Sequence, residues 1–368
     1  MVHVQEQLNL LDKLCKLTSI ILFTCLCLVL NAPFLYGQAF WREEQPRKAY
    51  LSKVWEYRLS GFSEQAYQTA VEGLFADFER RTGKALSPKK RGRVGIKVDT
   101  QAGKGLSTPA SLVKALMNVL RKRGFEQEKI FVLDAAEAPL RASGYIPSLG
   151  QLRQNAELKF QGSPVLILDS GRYYDPLWHY ESPLPIPYWQ KLPSLSGRLQ
   201  DPFEQDERKS FLPVPLMLEV DFWINIPTGM DHPALGLRGA IANASLWNVS
   251  NRERFFTSPT NAPVAAAEIA AIPELLNHWA MTLFPLEAYQ FIGGPDFKAK
   301  YTHSEPLLWM GVNPAMLDAL LLKRINQLRE ASGFRSTIAG ALLRYAENVG
   351  LGSSDIEQVE WLRPEPID

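Results

Sequence analysis

The chain begins with an uncharged apolar run that follows two lysines. Lys13 and Lys16 precede the run Leu17–Leu30, and the small residues of Gly37-Gln-Ala39 follow it. A positive flank, a short apolar core and a small-residue exit are the parts of a secretory signal. The pattern predicts a signal peptide over residues 1–39. Because a spanning helix needs about 20 apolar residues, an uncleaved membrane anchor and a buried helix remain alternatives.

The clearest pattern of secondary structure begins at Arg93. The apolar run Arg93–Val98 predicts a strand, and the glycine-containing turn Gly103–Thr108 follows it. A helix is predicted over Pro109–Lys122, with Thr108 as its N-cap. A second strand is predicted over Lys129–Leu133. A strand, a helix and a strand within this length predict a right-handed crossover that joins two parallel strands.

Further elements alternate along the chain. Strands are predicted over Pro164–Leu168, Val214–Val220, Phe222–Ile226 and Gln358–Leu362, and helices over Ser63–Thr82, Val264–Met281, Pro314–Glu330 and Ser336–Asn348. This alternation predicts an α/β fold with an open, mostly parallel sheet flanked by helices. We expect residues 40–92 to form a helical lead-in that packs on a single domain over residues 93–368. An aromatic and proline-rich loop excursion is expected over residues 173–213.

Charge and cysteine content narrow the range of partners and cofactors. The formal net charge is +1, so the chain lacks the basic character expected of a nucleic-acid-binding protein. All three cysteines, Cys15, Cys25 and Cys27, lie in the predicted signal peptide. The mature chain is therefore expected to be free of cysteine, which excludes a disulfide and an iron–sulfur cluster. We expect the protein to be exported, periplasmic or extracellular, with a membrane association only if the segment is uncleaved.

Polar residues follow several predicted strands, where ligands bind in open α/β sheets. They are Lys97, Asp99 and Thr100 at the first strand, Asp134 at the second, Asp169 at the third, and Asn225, Asp231 and His232 at or after the strand Phe222–Ile226. Together they could bind a divalent cation through oxygen ligands or supply an acid and a base. Equally, an aspartate after a strand is commonly a helix cap or a turn former, and His232 can be an ordinary loop residue.

Several blocks of the sequence resemble the domain-of-unknown-function family 362. The blocks are Val94-Gly-Ile-Lys97, Thr108-Pro-Ala-Ser-Leu-Val-Lys-Ala-Leu116, Ile130-Phe-Val-Leu-Asp134, Asp221-Phe-Trp-Ile-Asn-Ile-Pro227 with His232, Gly239-Ala-Ile-Ala-Asn243, Gly293-Gly-Pro295 and Gly311-Val-Asn-Pro-Ala-Met-Leu-Asp318. They occur in the family's order and span about Arg93 to Gly352. The resemblance implies a divergent, exported member and adds Asn243, Asn313 and Asp318 to the candidate site residues. It implies no established reaction.

The chain departs from the family pattern at several polar positions. Thr228 or Met230 and Ala242 stand where lysines are usual, and Pro285 or a neighbour and Asn313 stand where aspartates are usual. A shared activity would therefore be altered or lost. Some members carry iron–sulfur ligands in an attached segment, which this chain lacks once its cysteines are removed.

Three functions are compatible with these patterns. In the first, the protein is an enzyme acting on a small anionic substrate, with Lys97, Asp134, His232 and Asp318 as catalytic candidates; Lys97 and Asn243 orient the substrate and His232 moves a proton. The ligand-binding candidates are Asp99, Thr100, Asn225, Asn243, Asn313, Tyr174 and Trp178. In the second, the aromatic excursion around Tyr174 and Trp178 closes over a small ligand, such as a glycan, and no chemistry follows. A structural or partner-binding role is a third reading.

Overall fold

A computed structural model describes residues 39–41, 47–148, 150, 157–181, 208–258 and 260–364. The predicted signal peptide, with its three cysteines, lies outside the described residues apart from Ala39. No helix within the described ranges is both long and apolar enough to cross a membrane.

The described residues form fifteen strands. They are β1 (Lys53–Arg58), β2 (Val94–Val98), β3 (Ile130–Asp134), β4 (Lys159–Phe160), β5 (Ser163–Ile167), β6 (Tyr174–Glu181), β7 (Lys209–Pro213), β8 (Phe222–Ile226), β9 (Gly229–His232), β10 (Gly236–Arg238), β11 (Trp279–Pro285), β12 (Tyr289–Gln290), β13 (Thr302–His303), β14 (Leu307–Gly311) and β15 (Glu360–Leu362).

Nine α-helices lie wholly within the described ranges, together with several 3₁₀ turns. The helices are α1 (Glu64–Thr82), α2 (Ala110–Lys122), α3 (Glu137–Ala142), α4 (Val214–Leu218), α5 (Ala240–Ala244), α6 (Asn261–Ala270), α7 (Pro273–Leu276), α8 (Pro314–Ala331) and α9 (Gly340–Asn348). A 3₁₀ helix over Arg252–Thr257 lies beside the candidate site described below.

Nine strands form one sheet in the order β15-β1-β14-β11-β8-β2-β3-β5-β4. The five central strands, from β11 to β5, are parallel to one another, and β14 and β4 flank them in the antiparallel direction; this confirms the predicted α/β architecture. The chain runs outward from β2 to β3 and β5 and then returns to β8 on the other side of β2. The strand order therefore reverses between β2 and β8, and ligands of such sheets bind beyond the carboxyl ends of the strands at this point.

Side chains of the central strands alternate between two cores. Val94, Ile96 and Val98 of β2 pack in the core that contains α1 and α2. Phe131 of β3 and Trp223 of β8 pack in the opposite core, which contains α4, α6 and α9. Because the strands are buried on both faces, they read as continuous apolar runs in the sequence, as parallel strands usually do.

Three predicted elements differ from the structure. The run Val214–Val220 forms the short helix α4 instead of a strand, with Pro215 in its first turn, where proline is favoured. The helix predicted to reach Met281 is wrong at its end, because Trp279–Pro285 is the fully buried strand β11. The lead-in over residues 40–92 contains α1 as predicted, but it also supplies β1, which pairs with β14 and β15 inside the sheet.

The predicted loop excursion over residues 173–213 is partly regular. Its two described ends form β6 and β7, which pair antiparallel, and residues 182–207 lie outside the described residues. Tyr174 and Trp178 on β6 pack, partly buried, against the core that contains α4 and α6. The described part of the excursion is therefore attached to the domain by apolar side chains.

Candidate functional site

A fully buried lysine connects the carboxyl ends of β2 and β3. Lys97 Nζ donates to Asp134 Oδ1 at 2.7 Å, to Asn243 Oδ1 at 2.8 Å and to the carbonyl oxygen of Val98 at 2.7 Å. Both Lys97 and Asp134 have no exposed side-chain surface. An ammonium group has three donors, and all three are used here. Lys97 is thus a saturated structural cation in this arrangement.

The other acceptors of Asp134 are also occupied. Asp134 Oδ2 accepts from the backbone N–H of Thr100 at 2.9 Å and from the Thr100 hydroxyl at 2.6 Å, and Oδ1 accepts from the N–H of Ala135 at 2.8 Å. The predicted convergence of Lys97, Thr100 and Asp134 is present. The contacts hold the loop after β2 against the end of β3, which is a positioning role.

Two asparagines extend this buried network to β8 and α5. Asn243 Nδ2 donates to Asn225 Oδ1 at 2.8 Å, and Asn225 Nδ2 donates to the carbonyl oxygen of Ala240 at 2.9 Å. Both side chains are fully buried. Helix α5 is therefore fixed on the sheet by amide contacts, and neither asparagine faces the cavity described below.

A second buried ion pair lies at the end of β2. Asp99 accepts from Arg238 Nε at 3.2 Å and from Arg238 Nη2, and its Oδ2 accepts from the Thr228 hydroxyl at 2.7 Å. Burial raises the pKa of Asp99, but the charges of Arg238 and Lys97 outweigh this effect and hold the pKa below its usual value. Asp99 is therefore ionised and acts as the counter-ion of Arg238.

Asp318 anchors the amino end of α5. Its carboxylate accepts from the N–H of Ala240 at 2.6 Å and from that of Ile241 at 3.1 Å. A Cβ at Gly239 would lie 2.3 Å from Asp318 Oδ1, so the contact depends on the glycine. Burial raises the pKa of Asp318 to about 7, although the two N–H groups oppose the shift.

A cavity of about 600 Å³ opens beyond the ends of β2 and β8. Its lining residues are Gln101, His232, Pro233, Ala234, Arg238, Trp247, Arg252, Glu253, Phe256, Pro295 and Asp296. Gln101 follows β2 and His232 ends β9, just after β8, so the cavity lies at the reversal of strand order. A cavity with this volume and a mixed apolar and polar lining has the character of a small-molecule site.

Three rings form one wall of the cavity. The His232 ring lies 5.7 Å from that of Trp247 and 5.5 Å from that of Phe256, and the Trp247 and Phe256 rings are 6.0 Å apart. The guanidinium of Arg238 covers the Trp247 ring at 5.0 Å. This wall offers flat apolar surface to a ligand next to polar groups.

His232 is the one predicted catalytic residue that lines the cavity. Its Nδ1 accepts from the N–H of Ala234 at 3.2 Å, which places the proton of the neutral ring on Nε2. Burial, helped by the Arg238 charge, lowers the pKa of His232 to about 4. At neutral pH the ring therefore presents an Nε2–H donor, which suits hydrogen bonding to a ligand oxygen and not proton abstraction by Nε2.

This low pKa gives a pH prediction. The folded pKa of about 4 lies below the ordinary value of 6.5, so the unfolded chain binds more protons between these two values. His232 should therefore reduce stability as the pH falls through this window, by about 3 kcal/mol in all. His232→Asn keeps an acceptor for the Ala234 N–H but does not titrate. In urea unfolding followed against pH, the variant should lose less stability than the wild type across the window; parallel curves would contradict the assignment.

Of the two arginines that line the cavity, Arg252 has the weaker contacts with carboxylates. Its guanidinium lies 3.8 Å from Asp169 and 3.5 Å from Glu253, and the Arg252 side chain is 18% exposed. Both distances exceed that of a charge-assisted hydrogen bond. Burial raises the pKa of Asp169, and the nearby Arg252 charge opposes this shift. Within the described part of the chain, Arg252 thus has donors left for a ligand.

Three sequence candidates lie away from the cavity. Asn313 is the N-cap of α8, where its Oδ1 accepts from Ala315 and Met316 N–H and its Nδ2 donates to the carbonyls of Leu51 and Ser353. Tyr174 and Trp178 are not among the described residues that line the cavity. A divalent cation has no evident ligand set, because the described ranges contain no group of three or more His, Cys, Asp or Glu side chains able to hold one.

Sequence reasoning missed Gln101, Arg238, Trp247, Arg252 and Phe256. Arg238 stands immediately before the Gly239 block, but its partner Asp99 is 139 residues away, which a strand-end pattern cannot reveal. Comparisons with known proteins give no name to the site, since no family model, curated protein or solved structure matches the chain. The resemblance to family 362 stays a prediction.

Proposed function

We propose that the protein binds a small organic ligand in the cavity at the ends of β2 and β8, through an anionic group on that ligand. The observation that carries the proposal is Arg252, a cation whose ion-pair contacts are long, facing a cavity of about 600 Å³. Its planar fork of N–H donors suits a carboxylate or a phosphate. The Nε2–H of His232 adds a neutral donor, and the rings of Trp247 and Phe256 add apolar surface.

The buried network supports binding more than catalysis. Every hydrogen-bonding atom of the Lys97 ammonium is engaged, and Asp134 and Asp99 are held as counter-ions of Lys97 and Arg238. Buried polar groups with all of their hydrogen bonds satisfied make the surrounding structure rigid. A reaction that used these groups would need them to exchange partners first. We therefore favour a ligand-binding function over an enzymatic one. The anionic character of the ligand is retained from the enzyme hypothesis, which proposed a small anionic substrate.

Export is part of the same proposal. The predicted signal peptide over residues 1–39 would place the binding protein in the periplasm or outside the cell. The mass of the mature chain recovered from an expressing bacterium checks this point. Loss of about the first 39 residues is expected from the small-residue exit, and an intact amino terminus would favour the uncleaved anchor.

Arg252→Gln tests the proposed ligand contact. A thermal-shift panel of small carboxylates and phosphate esters should contain members that raise the melting temperature of the wild type, because a ligand that binds the folded state stabilises it. For such a member, Arg252→Gln should weaken binding about 10- to 100-fold, the effect of losing a charged hydrogen bond. Titration calorimetry measures the ratio of dissociation constants.

The matched control is Arg123→Gln. The Arg123 side chain has the same 18% exposure as that of Arg252, but it pairs with Glu79 and stacks on Phe75 on the far side of the sheet. This variant should bind as the wild type does. Equal losses in the two variants, or no stabilising ligand in the panel, would count against the proposal.

A further inference from the structure

The charged groups that line the cavity are balanced in sign. They are the guanidinium groups of Arg238 and Arg252 and the carboxylates of Glu253 and Asp296. His232 adds no charge at neutral pH, as described above. Arg238 is neutralised by Asp99 behind the cavity wall. The groups left to meet a ligand are therefore one cation, Arg252, and two carboxylates.

Asp296 is carried on a wall segment that the protein holds in place. Asp231 accepts from the N–H groups of Gly293 at 3.1 Å and Gly294 at 3.0 Å, and it pairs with Arg329 at 3.3 Å. The carbonyl oxygen of Asp296 accepts from Gln290 Nε2 at 2.8 Å. The backbone that carries Asp296 is thus fixed from two sides next to the cavity.

The carboxylate of Asp296 itself is available. Within the described ranges it has no hydrogen bond or ion pair, and the residue is exposed. Glu253, whose side chain is 79% exposed, makes one contact of 3.5 Å with Arg252. A ligand that carried only negative charge could pair with Arg252 but would have no positive group of its own to pair with these two carboxylates. Like charges at short range cost binding free energy and select against such a ligand.

Resting on the proposed function, we infer that the ligand is a zwitterion whose carboxylate binds Arg252 and whose ammonium group lies toward Asp296 and Glu253. Its remaining part lies on the ring wall of Trp247 and Phe256. An α-amino acid with a flat apolar side chain is the simplest compound that has all three parts. In this arrangement the cation, the carboxylates and the apolar wall each contact a different part of the ligand.

Three probes with the same ring separate the charges. L-Phenylalanine carries both groups, 3-phenylpropanoate carries only the carboxylate, and 2-phenylethylamine carries only the ammonium. In titration calorimetry on the mature chain at neutral pH, L-phenylalanine should bind at least about tenfold more tightly than either of the others, since each of them leaves charged groups of the site unpaired.

Two variants assign the contacts. Asp296→Asn should weaken L-phenylalanine about fivefold or more and leave 3-phenylpropanoate unchanged or improved, because only the former has an ammonium group. Arg252→Gln should weaken both. Glu128→Gln, which removes an exposed carboxylate next to the amino end of β3, is the control and should change neither.

The outcomes distinguish the inference from the proposed function. If 3-phenylpropanoate binds as tightly as L-phenylalanine and depends on Arg252, the zwitterion is overturned and the anion site stands. If none of the three probes binds while another anion binds through Arg252, the zwitterion is likewise overturned. If no probe and no anion binds, both the zwitterion inference and the proposed function are contradicted.

Discussion

Lys97→Met should destabilise the protein by roughly 3 to 5 kcal/mol, because removing one partner of a buried ion pair leaves the other charge unpaired. Asp134 would keep its N–H and hydroxyl donors from Thr100 and Ala135 but lose the cation with which it pairs. Asn243 Oδ1 would lose its donor as well. Urea unfolding followed by tryptophan fluorescence measures the change.

A double variant tests the cause of this loss. Lys97→Met with Asp134→Asn removes both charges and keeps an oxygen that can accept from Thr100. The free energy of unfolding should then recover part of the loss, since no ionised group stays buried without a partner. A double variant less stable than Lys97→Met alone would show that the packing of the lysine chain, and not the unpaired charge, explains the loss.

Asp99→Ala should have a similar effect through the other buried ion pair. Arg238 is 2% exposed and loses its counter-ion in this variant, and the hydroxyl of Thr228 loses its acceptor. We expect a loss of roughly 3 to 5 kcal/mol in the free energy of unfolding.

Formate provides the specific check on Asp99. Arg238 lines the cavity, so a small anion can reach the space left by the missing carboxylate. Formate should raise the melting temperature of Asp99→Ala and leave that of the wild type nearly unchanged, whereas neutral formamide should raise the melting temperature of neither protein. An equal response of the two proteins to formate would contradict the role of Asp99 as the counter-ion.

Local patterns were sufficient to predict the parallel centre of the sheet. Strand β2, helix α2 and strand β3 follow one another with a glycine turn before the helix and Gly124 after it, and each signal concerns neighbouring residues. Thr108 was the exception. Its hydroxyl does not cap α2; it donates to the carbonyl of Ile226 at 2.6 Å, so a tertiary contact replaced the local one.

The strands that were missed lack such local signals. Strand β11 is buried at every position, so it shows no alternation of polar and apolar residues, and the alanine-rich helix α6 and the short helix α7 precede it closely. A short apolar run of this kind fits a helix or a strand equally well from its period. The same ambiguity explains why α4 was predicted as a strand.

The candidate site was predictable only in part, for a similar reason. Parallel strands bring their carboxyl ends to one edge, so the convergence of Lys97, Asp99 and Asp134 followed from the strand assignments. Whether these groups face a ligand or one another depends on partners far along the chain. Asn243 lies 146 residues from Lys97, and Arg238 lies 139 residues from Asp99. Because of those contacts, the groups predicted to be reactive are paired with one another in the interior and support the cavity.

The central claim is that the cavity between the ends of β2 and β8 binds a small ligand through Arg252. A crystal structure of the mature chain, soaked with the compound that stabilises it most in the thermal-shift panel, tests this most directly. The account predicts ligand density on the ring wall of Trp247 and Phe256, with an anionic group within hydrogen-bonding distance of Arg252. Ligand density elsewhere on the protein, with an empty cavity, would contradict it.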